Sequence, residues 1–200
     1  MKNVLILGAT GTLGSHLSKR LMQLGKYRLT LVSRHATCVF SDKGNIKVVD
    51  CDATSSDALA SILSGNGIVV CAVSGEELPK VADALTQAMK KTGVKRLVFM
   101  GAVGIYNEIP DEIDGDDNVA NNPDQIPNRD AVGIIENSGL EYTILRPGYL
   151  KDDMVITRKG EEAKGYETSI PALVELIRSI IDNDNLYANE SISYTKDMTK

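Results

Sequence analysis

The sequence predicts an α/β protein of three layers, α/β/α, built on a doubly wound parallel sheet. Two observations carry this prediction. Apolar runs of strand length alternate with helically periodic segments along the chain, and a glycine-rich turn links the first run to the first helix. Strand candidates fall at Val4–Leu7, Leu29–Ser33, Lys47–Val49, Ile68–Ala72, Arg96–Met100 and Tyr142–Leu145. Between them, Leu13, Leu17, Leu21 and Leu24 mark one helix face, and Leu59, Ile62 and Leu63 a second. Leu78, Val81, Ala82, Leu85 and Met89 mark a third, and Ala131, Ile134 and Ile135 place a helix before the sixth strand. Leu173, Leu176, Ile177, Ile180 and Ile181 form a late helix, followed by a short strand at Ser191–Tyr194. Without an internal repeat or a linker, residues 1–200 read as one domain, long enough to bury a substantial core.

Bulk properties narrow the functional classes. The net charge of −5 leaves no general attraction to nucleic acid or to an anionic membrane surface, and no apolar window is long enough for a spanning helix. Met1-Lys2-Asn3 runs straight into a strand, which is not the pattern of a signal peptide. Cys38, Cys51 and Cys71 form no paired motif, which points to the reducing cytoplasm, and with only His16 and His35 beside them no zinc site is expected. A calcium loop around Asp111–Asp117 is rejected, because Gly115 is out of register and no glutamate closes it. The expected assembly is a monomer or a weak homodimer, with a small molecule as partner.

The glycine turn carries the chemistry. Gly8-Ala9-Thr10-Gly11-Thr12-Leu13-Gly14 follows the strand Val4–Leu7 and opens a helix, the order a dinucleotide pyrophosphate needs. Gly8 can take the tight turn, Gly11 lets backbone approach the phosphates, and Gly14 allows the helix to pack close to the sheet. The first helical turn, from Thr12 and Leu13, offers unpaired N–H groups and a partial positive charge. The prediction is therefore a Rossmann-type, NAD(P)-binding sheet.

These residues resemble the atypical branch of the short-chain dehydrogenase/reductase superfamily, the NmrA-like and biliverdin/flavin-reductase-like proteins. The turn has that branch's GxxGxxG spacing. Val94-Lys95-Arg96-Leu97-Val98-Phe99, with Val103-Gly104-Ile105-Tyr106 after it, resembles the branch's fifth strand. Ser138-Gly139-Leu140-Glu141-Tyr142-Thr143-Ile144-Leu145-Arg146-Pro147-Gly148 is similar to its "YTILRP" segment, and the stretch from Thr157 to Ser169 also matches its character.

An acid at the end of the second strand would bind the adenosine ribose diol and repel a 2′-phosphate, but the chain there reads Leu31-Val32-Ser33-Arg34-His35. Arg34 can clamp a 2′-phosphate and Ser33 can add a hydroxyl donor; read otherwise, Arg34 is a solvated surface arginine. The resemblance agrees with NADP(H). It also implies that Asp52, beside Ala53, contacts the adenine amino group, while Asp50 reads as an end-of-strand or turn residue. Ala72-Val73-Ser74-Gly75 would lie under the nicotinamide-side ribose.

Many superfamily members use a serine after the fifth strand and a Tyr-x-x-x-Lys pair on the next helix. Here the serine position falls at Gly101 or Ala102, and the helix reads Pro127-Asn128-Arg129-Asp130-Ala131-Val132. Tyr106 is the remaining candidate for a proton donor or stacking ring, or else a packing residue. Cys71 reads as inert core, and Arg146 as a residue that fixes the pocket loop, with Pro147, Gly148 and Tyr149 shaping its wall. Residues 107–127, rich in acids and prolines and without periodicity, read as a binding loop or a mobile lid. Two functions stay open: an NADPH-dependent reductase of a conjugated acceptor such as a flavin or quinone, and a non-catalytic NADP(H)-binding regulator or redox sensor.

Overall fold

The computed structural model describes residues 1–148 and 154–197. In chain order the elements are β1 (Lys2–Leu7), α1 (Thr12–Leu24), β2 (Tyr27–Ser33), β3 (Ile46–Asp50), α2 (Ser56–Leu63), β4 (Ile68–Cys71) and α3 (Leu78–Thr92). They continue with β5 (Arg96–Met100), α4 (Asp111–Asp114), α5 (Ile126–Glu136), β6 (Glu141–Pro147), β7 (Met154–Arg158), α6 (Ile170–Asp182) and β8 (Glu190–Lys196). The sheet order is β3-β2-β1-β4-β5-β6-β8-β7, parallel except where β7 runs antiparallel to β8. This is the doubly wound Rossmann-type sheet the sequence predicts. Strand order reverses between β1 and β4, and that switch point opens the crevice described below.

The apolar runs are explained by burial on both faces. Val4, Leu5, Ile6 and Leu7 are all fully buried. The pleat sends Leu5, Leu7, Val69, Cys71, Leu97 and Phe99 into the layer formed with α2, α3 and α5. It sends Val4, Ile6, Ile68, Val70 and Val98 into the layer formed with α1 and α6. Burial pushes the Cys71 thiol up to about 12, so the inert-core reading of this residue holds.

The far end of the sheet is built differently. Ser191, Ser193 and Thr195 alternate along β8 and are buried, on the face where the central strands carry aliphatic side chains. The Thr157 and Ser193 hydroxyls bond to each other, and Ser191 Oγ accepts Arg146 Nε–H at 3.1 Å. Arg146 is fully buried and ion-paired with Glu108.

One element goes beyond the sequence reading: β7, a five-residue antiparallel edge strand, carries no periodicity long enough to read. The aperiodic stretch after β5 is locally ordered: α4 and two 3₁₀ turns, Gly115–Asp117 and Pro123–Gln125, fold it against the protein. Asn118 is the pin, accepting the Ile109 N–H at 3.0 Å and donating to the Ile109 carbonyl at 2.8 Å. Val103, Ile109, Ala163 and Tyr166 pack together as a small separate core beneath it.

Candidate functional site

The C-terminal ends of β1, β2, β3 and β4 enclose a crevice of about 440 Å³. Of the residues singled out from sequence, Gly8, Thr10, Gly11, Ser33, Arg34, Asp52, Ala53, Val73 and Ser74 line it. Ala72, read with Val73 and Ser74 as one turn, lines it too, as do Leu7, His35, Cys51, Thr54, Glu76, Glu77 and Val81, whose signal is closeness to the chosen strand ends.

The glycines divide by task. Gly8 has φ +84° and its missing Cβ would lie 2.9 Å from the Ala72 carbonyl, so it lets β1 turn against β4. Gly14 is a packing glycine: a Cβ there would lie 2.1 Å from the Gly8 carbonyl oxygen. Gly11 is different. It caps α1 at φ −69°, ψ 171°, and a Cβ would meet only Gly8 and Ala72 oxygens, at 3.4 and 3.9 Å. Its bare backbone faces the crevice, and α1 follows with no side-chain cap, leaving the N–H groups of its first turn (Thr12, Leu13, Gly14) without partners inside the helix.

At the other end stand Ser33 and Arg34. Ser33 Oγ is buried, borders the crevice and has no hydrogen-bond partner, a cost that a ligand oxygen would relieve. Arg34 is exposed on the turn after β2. Asp52 has a carboxyl held below its ordinary range by the Thr54 N–H (2.9 Å) and hydroxyl (2.8 Å), with Arg34 adding attraction. An orphan hydroxyl, a cation, an ionised acid and a bare glycine backbone fit the parts of an adenine dinucleotide. Gly11 with α1 could hold the pyrophosphate, Asp52 an amino group, and Ser33 and Arg34 the oxygens of the adenosine ribose.

Other predicted residues lie elsewhere. Gly75, with φ +107°, follows the crevice residues on the turn to α3 but is not itself on the wall. Gly101 is a packing glycine: a Cβ would meet Val132 Cγ2 at 2.9 Å, so its open side faces α5 and not the crevice. Pro147 ends β6, two strands beyond β4, and its carbonyl accepts the Val103 N–H at 3.0 Å. Tyr149 lies outside the described residues.

Tyr106 is the main correction. Its hydroxyl donates to Glu136 Oε1 at 2.7 Å and lies 3.1 Å from Ser191 Oγ, and its ring sits between Arg146 (4.8 Å) and Lys159 (4.6 Å). Burial, chiefly, raises the phenol far above its ordinary value. It is not on the crevice wall, because its hydroxyl is drawn to the far end of the sheet by α5 and β8 partners.

Comparison with known proteins gives the family and the fold. A family model described as NAD(P)H-binding matches residues 8–184. A Rossmann-fold NAD(P)-binding family protein from Shigella flexneri is 33% identical, with a TM-score of 0.83, over 98% of this chain and 94% of that one. A short-chain dehydrogenase/reductase from Veillonella parvula, solved in complex with NADP, is 20% identical with a TM-score of 0.88, over 99% and 96% of the two chains. The anaerobillin reductase ChuY from Escherichia coli is 19% identical with a TM-score of 0.80, over 100% and 99%. A search among curated proteins finds no match. With a family match over most of its length, this chain is a member of the NAD(P)H-binding family, on a Rossmann fold.

Proposed function

We propose that the protein is an NADPH-dependent reductase of a small conjugated acceptor, of the flavin or quinone type. The observation that carries the cofactor half is the buried, unpartnered Ser33 hydroxyl beside Arg34, at a strand end with no acid. Gly11 and the first turn of α1 would hold the pyrophosphate, Ser33 and Arg34 the 2′-phosphate, and Asp52 the adenine. Val73 and Ser74 would support the second ribose. The cofactor, when bound, supplies the hydride; the protein contributes alignment and exclusion of water.

The acceptor half follows from what the site does not offer. The residues after β5 are Gly101 and Ala102, and α5 carries neither tyrosine nor lysine. Acceptors that gather their proton from solvent need no such relay, whereas an unactivated ketone develops an alkoxide that does. The likeness to ChuY, a reductase by name, is in keeping with this choice. The same missing groups favour a second reading, a regulator that binds NADP(H) without turnover. Steady-state NADPH oxidation against flavins, quinones, aldehydes and ketones separates the two. Turnover confined to flavins or quinones is expected; tight NADPH binding with no turnover on any acceptor establishes the regulator instead.

A further inference from the structure

We propose that Asp50 is a positioning residue for cofactor discrimination: by clamping Thr37 it fixes the turn that presents Arg34 and Ser33 to a ribose phosphate. The inference rests on the NADP(H) reading above. Asp50 ends β3 in register with Ser33, and the Cys51 N–H donates to the Ser33 carbonyl at 2.9 Å. The Asp50 side chain does not line the crevice. One of its oxygens accepts the Thr37 N–H at 2.9 Å and the other accepts the Thr37 hydroxyl at 2.6 Å. These bonds, the hydroxyl's foremost, hold the Asp50 carboxyl below its ordinary range.

The segment between the anchors is short. Only Arg34, His35 and Ala36 separate Ser33 from Thr37, and Ala36 is fully buried, its carbonyl accepting the Val39 and Phe40 N–H groups at 3.0 and 2.9 Å. Arg34 is thus an exposed side chain on a backbone held at both ends. An arginine on a free loop would lose backbone freedom when it met a phosphate; a turn already ordered has none to lose. Both oxygens of the Asp50 carboxylate are committed to Thr37, so its hydrogen bonds order the loop. NAD(H) has no 2′-phosphate, draws nothing from Arg34 and should not register the clamp.

The experiment titrates NADPH and NADH into wild type, Thr37→Val, Asp50→Ala and the double variant, with melting curves for each. Wild type is expected to prefer NADPH. Thr37→Val, which loses one of the two bonds, should weaken NADPH binding about three- to tenfold, Asp50→Ala, which loses both, by at least as much, and neither should change NADH binding. The double variant should match Asp50→Ala, because both changes cut the same clamp. Thr37→Val retains the carboxylate, so it isolates ordering from charge. The inference is overturned if both single variants keep the wild-type preference. It is overturned equally if Asp50→Ala tightens NADPH binding while Thr37→Val does nothing, which would make Asp50 only a repelling charge. Parallel loss of both cofactors with a lowered melting temperature would mark a purely structural role. Equal wild-type affinity for the two cofactors removes the NADP(H) reading itself, and the clamp's purpose with it.

Discussion

Replacing Gly11 with valine should abolish most cofactor affinity and leave the fold almost untouched. The Gly11 backbone, at φ −69° and ψ 171°, is in a region open to any L-residue, and a Cβ would make only ordinary contacts at 3.4 and 3.9 Å. The stability cost is then that of a poorer helix N-cap, about 1 kcal/mol, which for a chain of this size moves the melting temperature by roughly 2–4 °C. Binding suffers more, because the side chain stands where backbone N–H groups must approach the pyrophosphate. Losing one charge-assisted hydrogen bond costs about 1.5–3 kcal/mol, roughly ten- to a hundredfold in affinity. Gly14→Ala is the contrasting variant: its Cβ would fall 2.1 Å from the Gly8 carbonyl oxygen, so it should lower stability outright. Circular dichroism melts and NADPH fluorescence titrations read the two effects separately. A folded Gly11→Val that binds NADPH like wild type would refute the division of tasks among the glycines.

Other outcomes follow from the same geometry. Arg34→Ala should weaken NADPH binding by about 1.5–3 kcal/mol and leave NADH nearly unchanged; calorimetric titration of both cofactors decides it. Glu108→Gln leaves the fully buried Arg146 guanidinium without its counter-charge, and should cost about 3–5 kcal/mol in urea unfolding. A loss below 1 kcal/mol would mean that Arg146 is satisfied by Ser191 and its surroundings. Tyr106→Phe should lower stability by about 1 kcal/mol, while turnover falls by less than about the 10²-fold expected for a lost general acid. A larger kinetic loss, seen on an unactivated ketone, would make Tyr106 a proton donor after all.

The parts legible in the sequence are those whose cause is local. Val4–Leu7 reads as a strand buried on both faces because four consecutive aliphatics fit no surface element, and the glycine turn beside it fixes where the crevice opens. Arg34 and Ser33 follow from counting to the end of the next strand. What stayed hidden depends on distant partners. Tyr106 is directed by Glu136 and Ser191, which are 30 and 85 residues away, and nothing near it in sequence announces them. Gly101 falls by sequence at the serine position after β5, but its bare side is required by Val132. Asp50 reads as an end-of-strand or turn residue; it ends β3, and its carboxylate serves a turn thirteen residues earlier in the chain.

The hydroxyl-bearing face of β8 has a consequence for cooperativity. Aliphatic burial ties β2, β1, β4 and β5 to helices on both sides, so opening any one of them exposes the whole of a large apolar layer. Around β6, β8 and β7 one face is held by Ser191, Ser193, Thr157 and the Glu108–Arg146 pair, groups that water can rehydrate when they part. Amides at that end should therefore exchange through sub-global openings of lower free energy than those of β1. The crevice between β1 and β4 should then persist while the opposite flank opens, and the two ends of one continuous sheet should report different opening free energies.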